Sequence, residues 1–344
     1  MTLRELARHL NLSITTVSRA LAGYDDVSEA TRARVREAAE RLGYQPNPLG
    51  QRLRSGRTEA IGLVIPAAPG HMSDPFFLEL AASLGDRLRE HGLDLVLTSA
   101  APGPQEMERY RYLVEGRRVD GVVVARTRRH DERIAYLAEK GVPFVCHGRS
   151  ETPAVFPYID VDGEHGFRIA AEHLIRLGHR RIGLVNSPEE LNFTHHRVSG
   201  YRQALEAAGI PWDTSLIEYG DLTEESGYRA AKRLLSLEEP PTALLCANDW
   251  MAIGAMHAVR EGGMWPGKDV SVVGYDDLPV ARFTDPPLTT LRQPIRASGA
   301  RLADMLVELM NGAKAEALQE VHLPELVVRG SSGPVAGGPP QPPG

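Results

Sequence analysis

Apolar positions along the chain follow two different patterns that meet near residue 58. In residues 1–45 they recur every three or four positions, which indicates short amphipathic helices. From residue 60 onward, short runs rich in β-branched residues, such as AIGLVIP at 60–66, alternate with amphipathic segments. Such continuous apolar runs are typical of strands in parallel sheets that are covered on both faces. The pattern therefore predicts an all-α head followed by an α/β body.

Three helices are predicted in the head from their start and stop signals. Thr2-x-x-Glu5 forms a capping box, and Ser13 and Ser28 are well placed as N-caps of the second and third helices. Gly43 is a stop signal for the third helix. Two short helices joined by a tight turn and braced by a third predict a helix-turn-helix.

The body reads as two successive rounds of strands and helices. The second round begins near residue 158, and each round has about five βα units, which predicts two doubly wound lobes. Ligands of such lobes bind at the carboxyl ends of the strands, so a small molecule is expected in the cleft between them. LTTLRQP and VHLPELVVR are expected to cross back between the lobes.

The net charge of −6 hides an uneven distribution of charge. Residues 1–57 carry ten Arg and six acidic residues, a net charge of +4, and the remainder carries −10. A small basic head on a larger acidic body is typical of a protein that contacts nucleic acid through one part only.

Several functional classes are disfavoured by the sequence. No apolar run reaches the roughly 18 residues of a membrane helix, and MTLRELARHL is too charged for a secretory signal, so we expect a cytoplasmic protein. Cys146 and Cys246 have neither disulfide nor metal-ligand spacing, and we expect two reduced core thiols. Asp160/Asp162 and Asp276/Asp277 lack the context of glycosidase acids, and no hydrolase or nucleotide-binding motif is found, so no enzyme activity is expected.

The second predicted helix, ITTVSRAL, carries the candidate base-reading chemistry. Val17, Ala20 and Leu21 face inward, and the outward face carries a set of polar and apolar residues: Ile14, Thr15, Thr16, Ser18 and Arg19. Arg19 can donate two hydrogen bonds to a guanine edge, Thr15 can contact bases, and small hydroxyls reach phosphates.

Residues 47–54 are capable of forming a helix but are too few for a stable helix alone in water, and the segment carries Arg52, Arg54 and Arg57. Its leucine Leu53 is expected to be exposed and could wedge between base steps, as in minor-groove binders. A charged linker is the alternative interpretation of this segment.

Three stretches, TLRELARHLNLSITTVSRALAG, VSEATRARVREAAERLGYQPN and LGQRLRSGRT, resemble the DNA-binding head of the LacI family of bacterial repressors. The resemblance implies that Ile14, Thr15 and Arg19 read major-groove bases, and that Leu53 is inserted at the centre of a palindromic site. It implies DNA-contacting or capping roles for seven further residues: Ser13, Thr16, Ser18, Ser28, Thr31, Asn47 and Gln51. It also implies that the lobes have the fold of periplasmic binding proteins.

Polar and aromatic residues near predicted strand ends are the candidate effector ligands: Asp74, Phe76, Phe77, His147, Arg149, Phe193, Arg197, Asn248, Trp250 and Asp276. Carboxylates, amides and guanidinium groups bond to hydroxyls, and rings stack on apolar sugar faces, so this set suits a polyhydroxylated ligand. The resemblance implies that Arg197, Asn248 and Asp276 hold effector hydroxyls. Asp249 is expected to cap the next helix. For His147, a structural role and a ligand role are both left open.

The sequence predicts a LacI-type repressor with a helix-turn-helix over 1–45, a hinge over 46–58, a two-lobed body over 59–329 and a disordered tail over 330–344. Its expected partners are a double-stranded palindromic operator, a second copy of the chain and a mono- or disaccharide effector. No cofactor, metal ion or membrane partner is expected. A solute receptor without a DNA role and an activator of the same family are the alternatives.

Overall fold

The structure, a computed structural model, describes residues 1–44, 57–66 and 75–335. It contains two compact units, Met1–Thr58 and Glu59–Gly344, which we call the head and the body. Within the described ranges, no helix is both long and apolar enough to cross a membrane.

The head contains three helices: α1 (Leu3–Leu10), α2 (Ile14–Leu21) and α3 (Glu29–Arg41). The predicted capping box of α1 is present, because Thr2 N–H donates to Glu5 Oε2 at 2.8 Å and Glu5 N–H donates to Thr2 Oγ1. Ser13 and Ser28 cap α2 and α3, as the sequence predicts. Leu6, Val17 and other apolar residues of the three helices pack into one buried cluster.

The first lobe of the body is built on a six-stranded parallel sheet in the order β11-β5-β4-β3-β1-β2. Its strands are β1 (Ala60–Pro66), β2 (Asp94–Ala100), β3 (Gly121–Ala125), β4 (Phe144–His147), β5 (Tyr158–Val161) and β11 (Gln319–His322). Its helices are α4 (Pro75–Glu90), α5 (Pro104–Glu115), α6 (Glu132–Lys140) and α11 (Ile295–Met310). α4 and α11 pack together over the sheet and bury much of the core of this lobe.

The second lobe has a six-stranded sheet in the order β12-β10-β9-β8-β6-β7, in which only β12 is antiparallel among the described strands. Its strands are β6 (Ile182–Asn186), β7 (Ile217–Tyr219), β8 (Ala243–Cys246), β9 (Ser271–Asp276), β10 (Thr289–Arg292) and β12 (Glu325–Val327). Its helices are α7 (Gly163–Arg176), α8 (Asn192–Ala207), α9 (Glu224–Leu235) and α10 (Asp249–Glu261).

The chain passes between the lobes at three points in the described body: after β5, after β10 and between β11 and β12. The last two crossings lie in the segments LTTLRQP and VHLPELVVR, where the sequence predicts them. Three separate connections allow the lobes to rotate about a common hinge while each sheet stays intact.

The first part of the predicted disordered tail is ordered in the structure. Residues 331–335 were expected to be part of a disordered tail, but Ser331 is fully buried in the second lobe. Ser331 Oγ donates to the carbonyl of Val272 at 2.6 Å, and its N–H donates to the carbonyl of Pro287 at 3.0 Å. These buried hydrogen bonds offset the entropy of ordering the segment, which its Gly- and Pro-rich composition does not reveal. The rest of the predicted tail, 336–344, lies outside the described residues.

Candidate functional site: recognition helix and interlobe cleft

Helix α2 presents the face that the sequence predicts. Val17 and Ala20 are buried, whereas Ile14 is 44% exposed and Thr15 and Arg19 are also exposed. Val17 and Ala20, three apart, share the buried face, and Thr15 and Arg19, four apart, share the exposed one, as helical spacing requires. The outer face of α2 is therefore available to enter a groove of DNA.

The hydroxyl residues at the helix starts act in pairs. Ser13 Oγ accepts a hydrogen bond from Thr16 N–H at 2.9 Å and lies 2.8 Å from Thr16 Oγ1. Ser28 and Thr31 repeat this arrangement at the start of α3. Each cap is exposed, and backbone N–H groups at a helix start attract anions, so both starts can approach phosphates.

Arg19 already has intramolecular partners in the head. Its Nη2 forms an ion pair with Asp26, and its guanidinium lies 5.1 Å from the ring centroid of Tyr24. Arg19 must exchange Asp26 for a base edge if it is to read DNA. Four other predicted site residues lie outside the described residues: Asn47, Gln51, Leu53 and Asp74.

The cleft of the body contains a small compartment of about 70 Å³, which both lobes line. Six predicted effector residues line it: Phe76, His147, Phe193, Arg197, Asn248 and Asp276. Four further residues with polar side chains, which were not predicted as ligands, also line it: Arg126, Asp160, Tyr275 and Gln293. Each of these four lies at or next to the end of a strand, and that position is the signal that could have identified them.

Arg197 is the best-prepared donor in the small compartment. It is only 7% exposed, and its Nη1 donates to the carbonyl of Ala247 at 2.8 Å. Its guanidinium lies 4.2 Å from the ring centroids of both Phe193 and Tyr275. Its Nε is buried without a hydrogen-bond partner, so one N–H remains for a ligand. The sequence predicts that a helix begins near 196, but α8 begins at Asn192, which places Arg197 in its second turn.

Asp276 ends β9 in a strained backbone conformation, with φ of 119°. Strain of this kind in a non-glycine residue is common at ligand sites. Its Oδ1 accepts a hydrogen bond from Gln293 Nε2 on the next crossing segment. The following residue, Asp277, bonds instead to Arg292 and Arg329. The structure therefore separates a cleft carboxylate from a structural one.

Asn248 caps the helix after β8, and the expectation that Asp249 would do so is wrong. Asn248 is the N-cap of α10, because its Oδ1 accepts from Met251 N–H at 2.9 Å. Asp249 is not a cap: it accepts from Leu278 N–H at 2.7 Å and from Thr290 Oγ1. Burial raises the pKa of Asp249 to about 7. Asn248 keeps one amide hydrogen for a ligand, since the other bonds to Leu222.

His147 ends β4 in the small compartment. Its Nε2 is buried without a hydrogen-bond partner, and its ring packs edge-to-face on Phe76 at 5.3 Å. Burial lowers the pKa of His147 below its ordinary 6.5, so the imidazole is neutral at pH 7. A neutral imidazole can donate to a hydroxyl or accept from one, which suits an uncharged ligand.

Arg149 does not line either compartment. Its Nε donates to Asp160 at 2.5 Å, and it is Asp160 that faces the small compartment. The position of Arg149 after a strand predicts that it lies near the cleft. Its guanidinium, however, is already bonded to the carboxylate of Asp160. Arg149 thus orients a cleft carboxylate instead of being placed to contact an effector.

A large compartment of about 790 Å³ adjoins the small one, and Arg126 and Leu222 line both. The predicted residues Phe77 and Trp250 line this compartment and not the small one, although the Phe77 ring packs on Phe76 with centroids 5.4 Å apart. The floor contains Glu106, which is fully buried and pairs with Arg128 and Arg133. The sequence analysis missed this floor, because no strand end or motif marks it.

Hydrogen bonds join the lobes beside the large compartment. Asn192 N–H donates to the carbonyl of Thr127 at 2.9 Å, and its Nδ2 donates to the carbonyl of Arg149 at 2.9 Å. Arg129 N–H donates to the carbonyl of Glu190 at 3.1 Å. These contacts hold the two walls of the cleft together in this structure.

The chain matches two family models. The model described as bacterial regulatory proteins, lacI family, matches residues 2–47, and that of a periplasmic binding protein-like domain matches residues 171–332. These matches cover both the head and the second lobe. A solute receptor without a DNA role does not account for the first of them.

Similar proteins include the HTH-type transcriptional regulator AglR of Rhizobium meliloti, which is 43% identical over 96% of this chain and 94% of that protein. Among solved structures, a transcriptional regulator CelR–cellobiose complex is 36% identical over 96% of this chain and all of that one, with a TM-score of 0.75. A lac repressor dimer bound to operator and the anti-inducer ONPF is 28% identical over 97% and 99% of the two chains, with a TM-score of 0.82. These relatives are regulators, not enzymes. The chain therefore belongs to the LacI family of bacterial regulatory proteins.

Proposed function

We propose that this chain is a transcriptional repressor that binds a palindromic operator as a homodimer and responds to a neutral sugar in its cleft. The observation that carries the proposal is the small compartment, where both lobes present donors, acceptors and rings to one space. Arg197 Nε and His147 Nε2 there are buried donors or acceptors without a partner. Such groups are costly to leave unpaired, and a ligand's hydroxyls would satisfy them.

A sugar fits the chemistry of this compartment. Asp160 and Asp276 can accept from hydroxyls, Arg197 can donate, and Phe76 and Phe193 offer rings to apolar sugar faces. The similar regulator CelR forms a complex with cellobiose, which supports a saccharide as the effector class.

Effector binding would be coupled to the arrangement of the lobes. The small compartment of about 70 Å³ is well below the roughly 300–1,000 Å³ of pockets that enclose drug-sized ligands. A sugar ring is larger, so its entry requires the walls, which belong to different lobes, to move. A ligand that binds one lobe arrangement better than the other shifts the population toward it, and operator affinity follows if DNA favours one arrangement.

DNA recognition would rest on α2. Two heads of a two-fold dimer present two such helices to successive major grooves, which is why a palindrome is proposed. Ile14, Thr15 and Arg19 are the proposed base contacts. The roles of Asn47, Gln51 and Leu53 as hinge-segment contacts rest on the family resemblance.

The test is selection of operator DNA from a randomised palindromic library by the full chain, followed by affinity measurement. Arg19→Ala should weaken binding to the selected duplex by about 1–3 kcal/mol and relax preference at one base pair. Arg36→Ala, an exposed arginine of α3, is the control for loss of one charge. An equal effect of both variants, or no sequence preference in the wild type, would overturn the proposal. In cells, a reporter that falls instead of rising when the gene is deleted would identify an activator.

A further inference from the structure

We propose that the large compartment is a second saccharide subsite, so that the effector is a neutral sugar of two or more rings. This inference rests on the proposed function and deepens it. Trp250 is the residue that we assign to recognition of effector length.

Volume and position support a second subsite. The large compartment measures about 790 Å³, within the roughly 300–1,000 Å³ of pockets that enclose drug-sized ligands. Because Arg126 and Leu222 line both compartments, the large one lies directly beside the small one, where we place the ring held by Arg197. A single ring would leave most of this space to water.

Aromatic side chains line the large compartment where a further ring would lie. Trp250 is on the first turn of α10 in the second lobe, yet it packs against the core cluster of the first lobe, which includes Phe77. The guanidinium of Arg126 lies over the Phe77 ring, 4.8 Å from its centroid. Trp250 therefore touches both lobes and offers a ring surface to the apolar face of a sugar.

Polar groups on the floor can hold hydroxyls of that ring. Arg128 forms an ion pair with buried Glu106 through Nη2, but its Nη1 is buried without a hydrogen-bond partner. Arg133 is fully engaged with Glu106, Asp131 and two backbone carbonyls, so it fixes the floor. A guanidinium donor without a partner, on a residue that lines the compartment, is a group that a ligand hydroxyl could satisfy.

The charges that line the large compartment favour an uncharged ligand. Among its described lining residues, five carboxylates accompany three guanidinium groups, and four of those carboxylates belong to Glu190, Asp221, Glu224 and Glu225. Two of the guanidinium groups already pair with the fifth, Glu106. Carboxylates near the entrance repel phosphates and carboxylates, and they accept hydrogen bonds from hydroxyls.

The experiment measures binding of glucose, galactose, maltose, cellobiose and raffinose to the full chain by titration calorimetry. We expect at least one saccharide of two or three rings to bind at least tenfold more tightly than either monosaccharide. Trp250→Ala should weaken binding of that saccharide by about fivefold or more, the size expected for loss of an aromatic contact. Trp250→Phe should retain most of the wild-type affinity. Trp212→Phe is the control, since Trp212 packs on Tyr201 in the second lobe.

The outcomes separate this inference from the proposed function. Equal affinity for a monosaccharide and every longer sugar, or an unchanged saccharide affinity in Trp250→Ala, would overturn the second subsite. Neither result would contradict the proposal of a sugar-responsive repressor. Binding of no sugar in the panel would contradict the sugar effector itself. Tighter binding of glucose 6-phosphate than of any neutral sugar would overturn the assignment of ligand charge.

Discussion

Arg19 and Arg197 are both held by neighbouring side chains, but in surroundings that give them different tasks. Arg19 is exposed on α2 and its partners are a carboxylate and one ring. Arg197 is buried between two rings and bonds to a backbone carbonyl. The first arrangement can be exchanged for DNA at low cost, because exposed ion pairs contribute little. The second keeps a planar donor in one orientation, which suits selective recognition of a ligand.

The ion pair between Arg19 and Asp26 leads to a prediction about specificity. Asp26→Asn frees the guanidinium, so affinity for a scrambled duplex should rise by about twofold to fivefold at low salt. Fluorescence anisotropy with scrambled and selected duplexes measures both affinities. Asp25→Asn makes the same charge change beside Arg32. If it has the same effect, net charge and not the pairing of Arg19 is responsible.

At the scale of a residue, the sequence does not determine which of Asn248 and Asp249 caps the helix that follows β8. Both side chains can cap a helix, and the sequence does not say which backbone is extended. In the structure Asn248 has φ of −150° and takes the cap, so Asp249 turns inward to Leu278 and Thr290. Arg197 and Asp276 could be placed near the cleft from their positions along the chain. Gln293 and Arg126 become neighbours of these residues only through the folding of the lobes.

At the scale of elements, helix pairs of the second lobe approach each other through glycine. A Cβ on Gly254 of α10 would lie 2.0 Å from the carbonyl oxygen of Glu224 on α9. A Cβ on Gly200 of α8 would lie 1.9 Å from the carbonyl oxygen of Glu164 on α7. These distances are shorter than any stable contact, so the helices would have to separate. The starts of α9 and α10 carry Glu224 and Trp250, so the glycine packing fixes the spacing of these two lining residues on the second-lobe wall of the cleft.

Gly254→Ala should lower the free energy of unfolding by about 1–3 kcal/mol, the usual cost of overpacking. Urea denaturation followed by circular dichroism measures this change. Gly85→Ala in helix α4 is the matched control. A Cβ at Gly85 would lie 3.5 Å from the Leu95 side chain, which is an ordinary van der Waals distance. Alanine is the better helix former, so the control should be neutral or stabilising. An equally stable Gly254→Ala protein would contradict the close packing of α9 and α10.

The C-terminal segment is fastened to the second lobe through His179. Its Nδ1 lies 2.9 Å from Thr242 Oγ1, and its Nε2 lies 2.9 Å from Ser271 Oγ and 3.0 Å from the carbonyl oxygen of Gly333. Burial lowers the pKa of His179 below its ordinary 6.5. The unfolded chain therefore takes up a proton first as pH falls, and the contribution of this histidine to stability is present above 6.5 and lost below it.

The unfolding free energy of the wild type should thus decrease as pH falls from 7 toward 5. His179→Gln should show a shallower decrease, because the residue that takes up the proton on unfolding is absent. Urea titrations at pH 5, 6 and 7 give both slopes, and His130→Gln, at an exposed histidine, should match the wild type. A slope in His179→Gln identical to that of the wild type would contradict the assignment.

At the scale of the whole molecule, the fold was more predictable than the cleft. Apolar runs such as residues 60–66 and 121–125 identify buried strands, and their alternation with helices predicts two lobes. The large compartment could not be predicted, because buried Glu106 and half-buried Arg128 look like ordinary surface charges of a helix and a loop in the sequence. Their burial depends on how α5 and the loop after β3 pack, which is a tertiary property.

The interlobe cleft is the proposed site from which operator affinity is controlled. A ligand in the small compartment would contact both lobes, and the three crossing segments would transmit a change in their arrangement. DNA affinity and effector affinity must then be coupled reciprocally, typically by about fivefold to 150-fold.

The most direct test is the affinity of the full chain for its selected operator, measured by fluorescence anisotropy with and without a saturating saccharide from the panel. We predict a change of about fivefold or more in the wild type. Arg197→Lys and Asp276→Asn should bind the operator as the wild type does and respond to the saccharide weakly or not at all. An unchanged operator affinity in the wild type with bound saccharide, or a full response in both variants, would contradict the account.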